Sequence, residues 1–355
     1  MSQLFSPLTI AGKTFKNRAW IAPMCQYSAN DGLVGEWHRL HFSSLATGGA
    51  GLIVAEATAV TPEGRISIAC PGLWNDDQIH AWKPMVDIIH SHGALAGIQL
   101  AHAGRKASSF IPWGDHAIAT REEGGWQPVA PSPVAFEGYE TPRELNQREI
   151  KELIESFALS AARAIDAGFD VLEIHAAHGY LLHQFLSPLS NHRTDDFGGS
   201  LENRMRLLLQ VTARVREVAG SQVPLFVRIS ATDWFEGGWN LEEAIELCGA
   251  LKKLGVDLID VSSGGLDPRQ QIKIGPGYQV PFSAAIRSQV GISTSAVGLI
   301  TTGPQAEAIL KAGEADAIMV ARAALRNPRW ALMAAEELNE VIDWPRQIDR
   351  GRLVR

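Results

Sequence analysis

The chain has 355 residues, 46% hydrophobic and 20% charged, with a formal net charge of −7. This is ordinary for a globular protein with a sizeable core, and the acidic balance argues against nucleic acid or an anionic membrane as partner. No run is apolar for long enough to cross a bilayer, Met1-Ser2-Gln3-Leu4-Phe5 lacks the basic and apolar segments of an export signal, and Cys25, Cys70 and Cys248 are too widely spaced in sequence for a disulfide framework or a Cys-x-x-Cys metal knuckle. A cytoplasmic location is expected.

Eight short apolar runs follow one another along the chain. They cover residues 18–24, 51–60, 95–102, 171–177, 224–232, 258–264, 292–298 and 317–322. Each is rich in Ile, Val, Leu or Ala and bounded by Gly, Pro or polar residues, as buried strands are. Helical patterns lie between them. In 149–167, Ile150, Leu153, Ile154, Phe157, Ala161, Ala164 and Ile165 share one face. Ser200 is placed to cap a helix over Leu201–Ala219. Pro304 opens another that ends at Gly313. Eight strands alternating with helices predict an α/β fold, a (β/α)₈ TIM barrel forming a single domain over residues 1–355. A doubly wound sheet would carry a Gly-rich fingerprint after its first strand, and none follows Ala22-Pro23-Met24-Cys25. The longest irregular stretch, 103–142 after the third strand, is expected to cap the barrel mouth, with Trp113, Trp126 and Phe136 packing it down.

In such a barrel the chemistry belongs at the C-terminal ends of the strands. The most informative run there is Glu173-Ile174-His175-Ala176-Ala177-His178-Gly179-Tyr180. Two imidazole N–H groups can converge on one carbonyl oxygen and stabilise developing negative charge. A phenol stays protonated at neutral pH and can act as an acid. Paired histidines also suit zinc, so a metal-dependent TIM-barrel hydrolase is the alternative, although no acidic or Cys third ligand stands nearby in sequence. Arg228 lies in an apolar strand and needs an anion, either a bound cofactor or an internal acid. Gly298 and Arg322 close the last two strands, where barrels hold phosphate. Cys25 is read either as a thiol beside a cofactor or as a small buried hydrophobe. His38, His41, His80, His90 and His92 are given no role.

Five motifs in order resemble those of the Old Yellow Enzyme family, in its bacterial xenobiotic-reductase-like branch with an active-site cysteine. They are Ala22-Pro23-Met24-Cys25-Gln26-Tyr27, Glu56-Ala57-Thr58-Ala59-Val60, the run from Gln99-Leu100-Ala101-His102 to Lys106, His175-Ala176-Ala177-His178-Gly179-Tyr180, and the run from Asn191-His192-Arg193 to Asn203-Arg204. The resemblance implies FMN bound by Ala22, Pro23, Met24, Cys25, Ala57, Gln99, Arg228, Gly298, Ala321 and Arg322. It implies His175 and His178 as the carbonyl-binding pair, Tyr180 as proton donor and Tyr27 as a substrate contact. The implied activity is an ene-reductase: NAD(P)H gives hydride to the flavin, which passes it to the activated C=C bond of a small enone or enal, or reduces nitro compounds or quinones. The run after Asn191 is read as structural. The tail, 340–355, resembles one whose arginine reaches a neighbouring subunit's site, which implies a homo-oligomer, dimer or tetramer, with Arg350 contacting substrate. Two positions depart from the family pattern: Ala321 stands where glycine is usual, and Ile348 where tyrosine is usual.

Overall fold

The computed structural model describes residues 2–352. Eight parallel strands close a barrel: β1 (Ala19–Ile21), β2 (Leu52–Ala59), β3 (Leu95–Ala101), β4 (Val171–Ala176), β5 (Leu225–Ser230), β6 (Leu258–Ser262), β7 (Ser293–Ala296) and β8 (Ala317–Val320). Each pairs with the next, and β8 returns to β1 through Ile318 beside Ala19 and Val320 beside Ile21. Helices α1 (Glu36–Ala46), α2 (Asp76–Ser91), α3 (Gln147–Asp166), α4 (Leu201–Ala219), α5 (Leu241–Lys253), α6 (Val280–Val290), α7 (Gly303–Lys311) and α8 (Trp330–Glu337) surround it. This is the TIM barrel that the alternation of apolar runs predicts.

Local signals set the element ends. Asn146 accepts from the backbone N–H groups of Arg148 and Glu149, so α3 starts two residues before the expected 149. Ser200 caps α4 as expected, and Thr302 caps α7 with Pro304 in its first turn. The strands are shorter than the apolar runs. The first ends at Ile21 rather than at residue 24, because Pro23 has no N–H to continue the ladder; Ala22 still donates to Val320 O at 3.0 Å. Arg322 is not a strand end but opens a short helix, Arg322–Arg326.

The barrel interior changes character along its axis. An antiparallel hairpin, Leu8–Ile10 with Lys13–Phe15, closes the N-terminal end. Phe15, Trp20 and Phe226 stack there, with centroids 4.6 to 6.4 Å apart, among Leu52, Val171 and Leu258. Two residues further along the same strands come Glu173, Arg228 and Asp260, and two further still His175, Ser230 and Ser262. The period-two alternation of a strand carries each interior face from apolar to charged to hydrogen-bonding, which puts the polar groups at the C-terminal rim.

Candidate active site

The rim is assembled from β1, β2 and β4 on one side and β5 to β8 on the other. On β2 the register shifts between Ala55 and Ala57. The bulge turns Glu56 toward the loop after β1, where its Oε2 accepts from the Gln26 backbone N–H at 2.8 Å. Its Oε1 lies 3.2 Å from His38 Nε2, both side chains being buried. Burial raises the Glu56 carboxyl above its ordinary range, and the hydrogen bond from His38 opposes that rise. His38 therefore has a role the sequence did not reveal: from α1 it braces the acid that shapes the loop carrying Met24 to Tyr27. Tyr27 takes a left-handed backbone, φ +50°, and its ring meets Trp113 of the 103–142 stretch edge-on at 6.1 Å.

Cys25 and Cys70 also meet. Cys25 is half-buried, packed on a cluster of Ala57, Cys70, Ala101 and Ala103 together with Tyr27 and Tyr180. A hydrogen bond with the Cys70 thiol, followed by burial, pushes Cys25 well above the usual thiol range, so it is a thiol and not a thiolate. All three cysteines are free thiols, and the loops after β1 and β2 bring two of them together. Cys248 is separate, on α5.

The predicted histidine pair and tyrosine converge. The His175 and His178 rings are 5.3 Å apart, and His175 and Tyr180 are 5.1 Å apart. His178 has φ +57° and is held by its backbone N–H on Ser230 Oγ at 2.9 Å and by Nε2 beside Ser262 Oγ at 2.6 Å. Burial first, then the Arg228 charge, holds both imidazoles well below their ordinary range. They are neutral, each with one N–H. Burial keeps the Tyr180 phenol well above its ordinary range, and thus protonated. Lys106 Nζ sits 5.0 Å from the Tyr180 ring and donates to the carbonyls of His178 and Gly265 at 2.9 and 3.0 Å. Burial lowers this lysine to about 8. It belongs to the run from Gln99 to Lys106, in which Gln99 alone is assigned a role.

Deeper, Arg228 Nε lies 3.1 Å from Asp260 Oδ2, so the internal acid is present. Arg228 also lines a cavity of about 170 Å³ with Tyr278, Gln279, Gly298, Ala321 and Arg322. Both readings of Arg228 are therefore compatible. Gly298 has φ +127°, and a Cβ there would come within 3.2 Å of Gln279 Nε2 and 3.3 Å of the Tyr278 ring. Backbone can approach a ligand closely at this point. Arg322 and Arg326, one helical turn apart, face the same cavity. Arg326 was missed, and its i,i+4 spacing from Arg322 was the available signal. Gln99 sits under the rim, donating from Nε2 to Glu173 Oε1 at 2.7 Å. The structure does not bring Arg350 into this site. It lies exposed in a single turn, Asp349–Gly351, beyond residues 341–345, which line a separate cavity with Lys16, Asn17 and Gly93 at the N-terminal end of the barrel.

A cavity with a glycine cradle, two arginines and the buried Arg228 guanidinium in its wall, next to neutral imidazoles and a phenol that reach it through the His178–Ser262 contact, fits a phosphate-bearing, flat, redox-active cofactor. The arrangement defines a barrel oxidoreductase. The model of the NADH:flavin oxidoreductase / NADH oxidase family matches residues 3–340, and the chain belongs to this family, the Old Yellow Enzyme family. It is 49% identical over 353 residues, 99% of each chain, to an NADPH dehydrogenase of Halalkalibacterium halodurans. Among solved structures it resembles the old yellow enzyme homologue from Zymomonas mobilis, with TM-score 0.78 and 30% identity over 96% of this chain and 94% of that one. It also resembles a 2-naphthoyl-CoA reductase, with TM-score 0.87 and 25% identity, covering 95% of this chain but only 52% of that one. The chain is thus an FMN oxidoreductase with NAD(P)H as co-substrate. The metal-dependent hydrolase reading has no support: among the described residues, no group of three or more His, Cys, Asp or Glu could hold a metal ion. No helix among them is long and apolar enough to cross a membrane.

Proposed function

We propose that this enzyme reduces the activated C=C bond of small α,β-unsaturated carbonyl compounds, with quinones and nitro compounds as further acceptors. The observation that carries this reading is the convergence of two neutral imidazoles and a protonated phenol at the C-terminal end of β4. FMN, when bound, would supply the hydride-transfer chemistry between NAD(P)H and the substrate. Ala22, Pro23, Met24, Cys25, Ala57, Gln99, Arg228, Gly298, Ala321 and Arg322 would hold it. The Arg322 fork and backbone N–H groups near Gly298 and Ala321 suit its phosphate, and Arg228 suits charge at its pyrimidine end. His175 and His178 would hold the substrate carbonyl oxygen and draw electron density from Cβ. Tyr180 would give its proton to Cα, and Tyr27 would line the substrate pocket. Residues 103–142 would cap the mouth and exclude water. The enzyme would act as a cytoplasmic homo-oligomer, with Arg350 reaching a neighbouring subunit's site.

The test is anaerobic mixing with NADPH, then with 2-cyclohexenone, followed by visible absorption. Flavin bands that bleach and then return support the reading. Bleaching without return on the enone, but with return on a quinone, would remove the C=C reductase.

A further inference from the structure

Below the site lies an acid that the proposed chemistry does not use. Glu173, on the interior face of β4, is fully buried. Its Oε1 accepts from Gln99 Nε2 on β3 at 2.7 Å, and its Oε2 has no partner among the described residues. The neighbouring cation is already engaged: Arg228 on β5 pairs with Asp260 on β6 at 3.1 Å, and Asp260 accepts also from Ser295 Oγ on β7 at 2.8 Å. Phe226, beside Glu173 on β5, brings no charge, and His175 on its own strand is neutral. Two acids therefore face one guanidinium, and Glu173 is the acid left over. A desolvated carboxylate with a single neutral donor is strongly disfavoured, and such a group keeps its proton instead. Burial, then the charge of Asp260, pushes Glu173 up to about 8, against the opposing pull of Arg228 and Gln99.

We propose that Glu173 is a proton-holding positioning residue whose ionisation sets the orientation of the Gln99 amide at the floor of the flavin site. This rests on the reading of Gln99 as a flavin contact. With Glu173 ionised, the carboxylate can only accept, so one of the two amide N–H groups of Gln99 is held on it and the carbonyl oxygen is turned away. With Glu173 protonated, its carbonyl oxygen still accepts from Gln99 Nε2, the contact seen at 2.7 Å, and its O–H offers the alternative of donating to Gln99 Oε1, which frees the amide N–H groups to turn toward the site. Reduction by hydride brings one negative charge into this buried space, which a donor accommodates and an acceptor opposes. Above the ionisation of Glu173, reduction therefore draws one proton from water onto its carboxylate, and reoxidation returns it. Below that ionisation the proton is already in place.

The experiment uses the holoenzyme, wild type beside the isosteric Glu173→Gln and Gln99→Ala. The reduction potential is measured across the pH range around 8, and reduced-minus-oxidised infrared difference spectra are recorded above it. Wild type is expected to show a break in potential against pH, and a protonated-carboxyl band appearing on reduction. Both are lost in Glu173→Gln. A break that persists in Glu173→Gln while Gln99→Ala shifts the potential leaves the Gln99 contact standing and overturns the role of Glu173. A flavin spectrum and potential untouched by Gln99→Ala would remove the contact itself, and the proposal with it. The infrared band needs only the wild-type protein, so its absence overturns the proposal even if a variant fails to fold.

Discussion

His178 Nε2 and Ser262 Oγ stand 2.6 Å apart, and Ser262 in turn donates to Gln279 Oε1 at 3.2 Å. An N–H serving Ser262 cannot also serve a substrate oxygen. For His178 to hold that oxygen through Nδ1–H, the Ser262 hydroxyl must turn and donate to Nε2, fixing the tautomer. Ser262→Ala removes this control. Phenolic ligands, which mimic the substrate oxygen, should bind about fivefold more weakly, the worth of roughly 1 kcal/mol for one hydrogen bond, and Ser262→Thr should restore affinity. A spectral titration of bound flavin measures this. Unchanged affinity in Ser262→Ala would mean that His178 does not meet the ligand through Nδ1.

Tyr180 separates the two half-reactions. Its phenol is buried and protonated, and it abuts His175 at 5.1 Å, so it is placed to donate where the carbonyl is held. Taking a proton from the acid is needed only when the C=C bond is reduced. Tyr180→Phe should slow return of flavin colour on 2-cyclohexenone by about 10²-fold or more, with NADPH bleaching close to wild type. Rapid mixing resolves the two steps. Equal slowing of both would assign the phenol to positioning rather than proton transfer.

The sequence carried the architecture well because its signals are local. The runs of Ile, Val and Leu in β3 and β4 need no partner to be read, and Ser200 and Pro304 announce their helices by capping chemistry alone. The convergence of His175, His178 and Tyr180 was legible because one strand end delivers all three. What was missed depends on register and on distant loops. Glu56 braces Gln26 only because a bulge displaces it from the alternation, and no pattern within α1 marks His38 as its partner. Cys25 meets Cys70 only once two loops fold over the same rim. Asp260, the partner of Arg228, reads in isolation as any acid in a strand, and only the pairing of β5 with β6 sets it beside the guanidinium.

Buried ionisable groups set limits on stability at both ends of the pH scale. His175 and His178 bind protons less readily in the folded chain than at their ordinary 6.5, and His41 and His102 are lowered to about 4. Their contribution is complete above 6.5 and is lost as pH falls below it. Glu173 has the opposite sign: its pKa rises from 4.5 to about 8 on folding, so its contribution is complete below 4.5 and is lost as pH rises through 8. Urea midpoints of the wild type should therefore fall on both sides of neutrality. Glu173→Gln should flatten the alkaline decline and leave the acid decline in place. An alkaline decline of the same size in the variant would show that Glu173 is not held neutral by the fold.

The phosphate end of the cavity can be tested without turnover. Arg322 offers a charged fork there, and Gly298 a backbone, φ +127°, that L side chains rarely adopt. A charge-assisted hydrogen bond contributes roughly 1.5 to 3 kcal/mol, so Arg322→Ala should weaken FMN binding about ten- to a hundredfold. Arg326 faces the same cavity, and its long side chain can partly replace the lost charge, which favours the lower figure; the double variant should lose more than Arg322→Ala alone. Gly298→Ala acts differently. Its Cβ meets Gln279 Nε2 at 3.2 Å, and the strained backbone costs roughly 1 to 3 kcal/mol, so it should lower FMN affinity and the thermal stability of the apoprotein together. Arg322→Ala should lower affinity alone. Quenching of free FMN fluorescence gives the affinities, and apoprotein melting gives the stability. Wild-type affinity in both Arg322→Ala and the double variant would move the phosphate away from this cavity and, with it, the orientation of the flavin along the barrel rim.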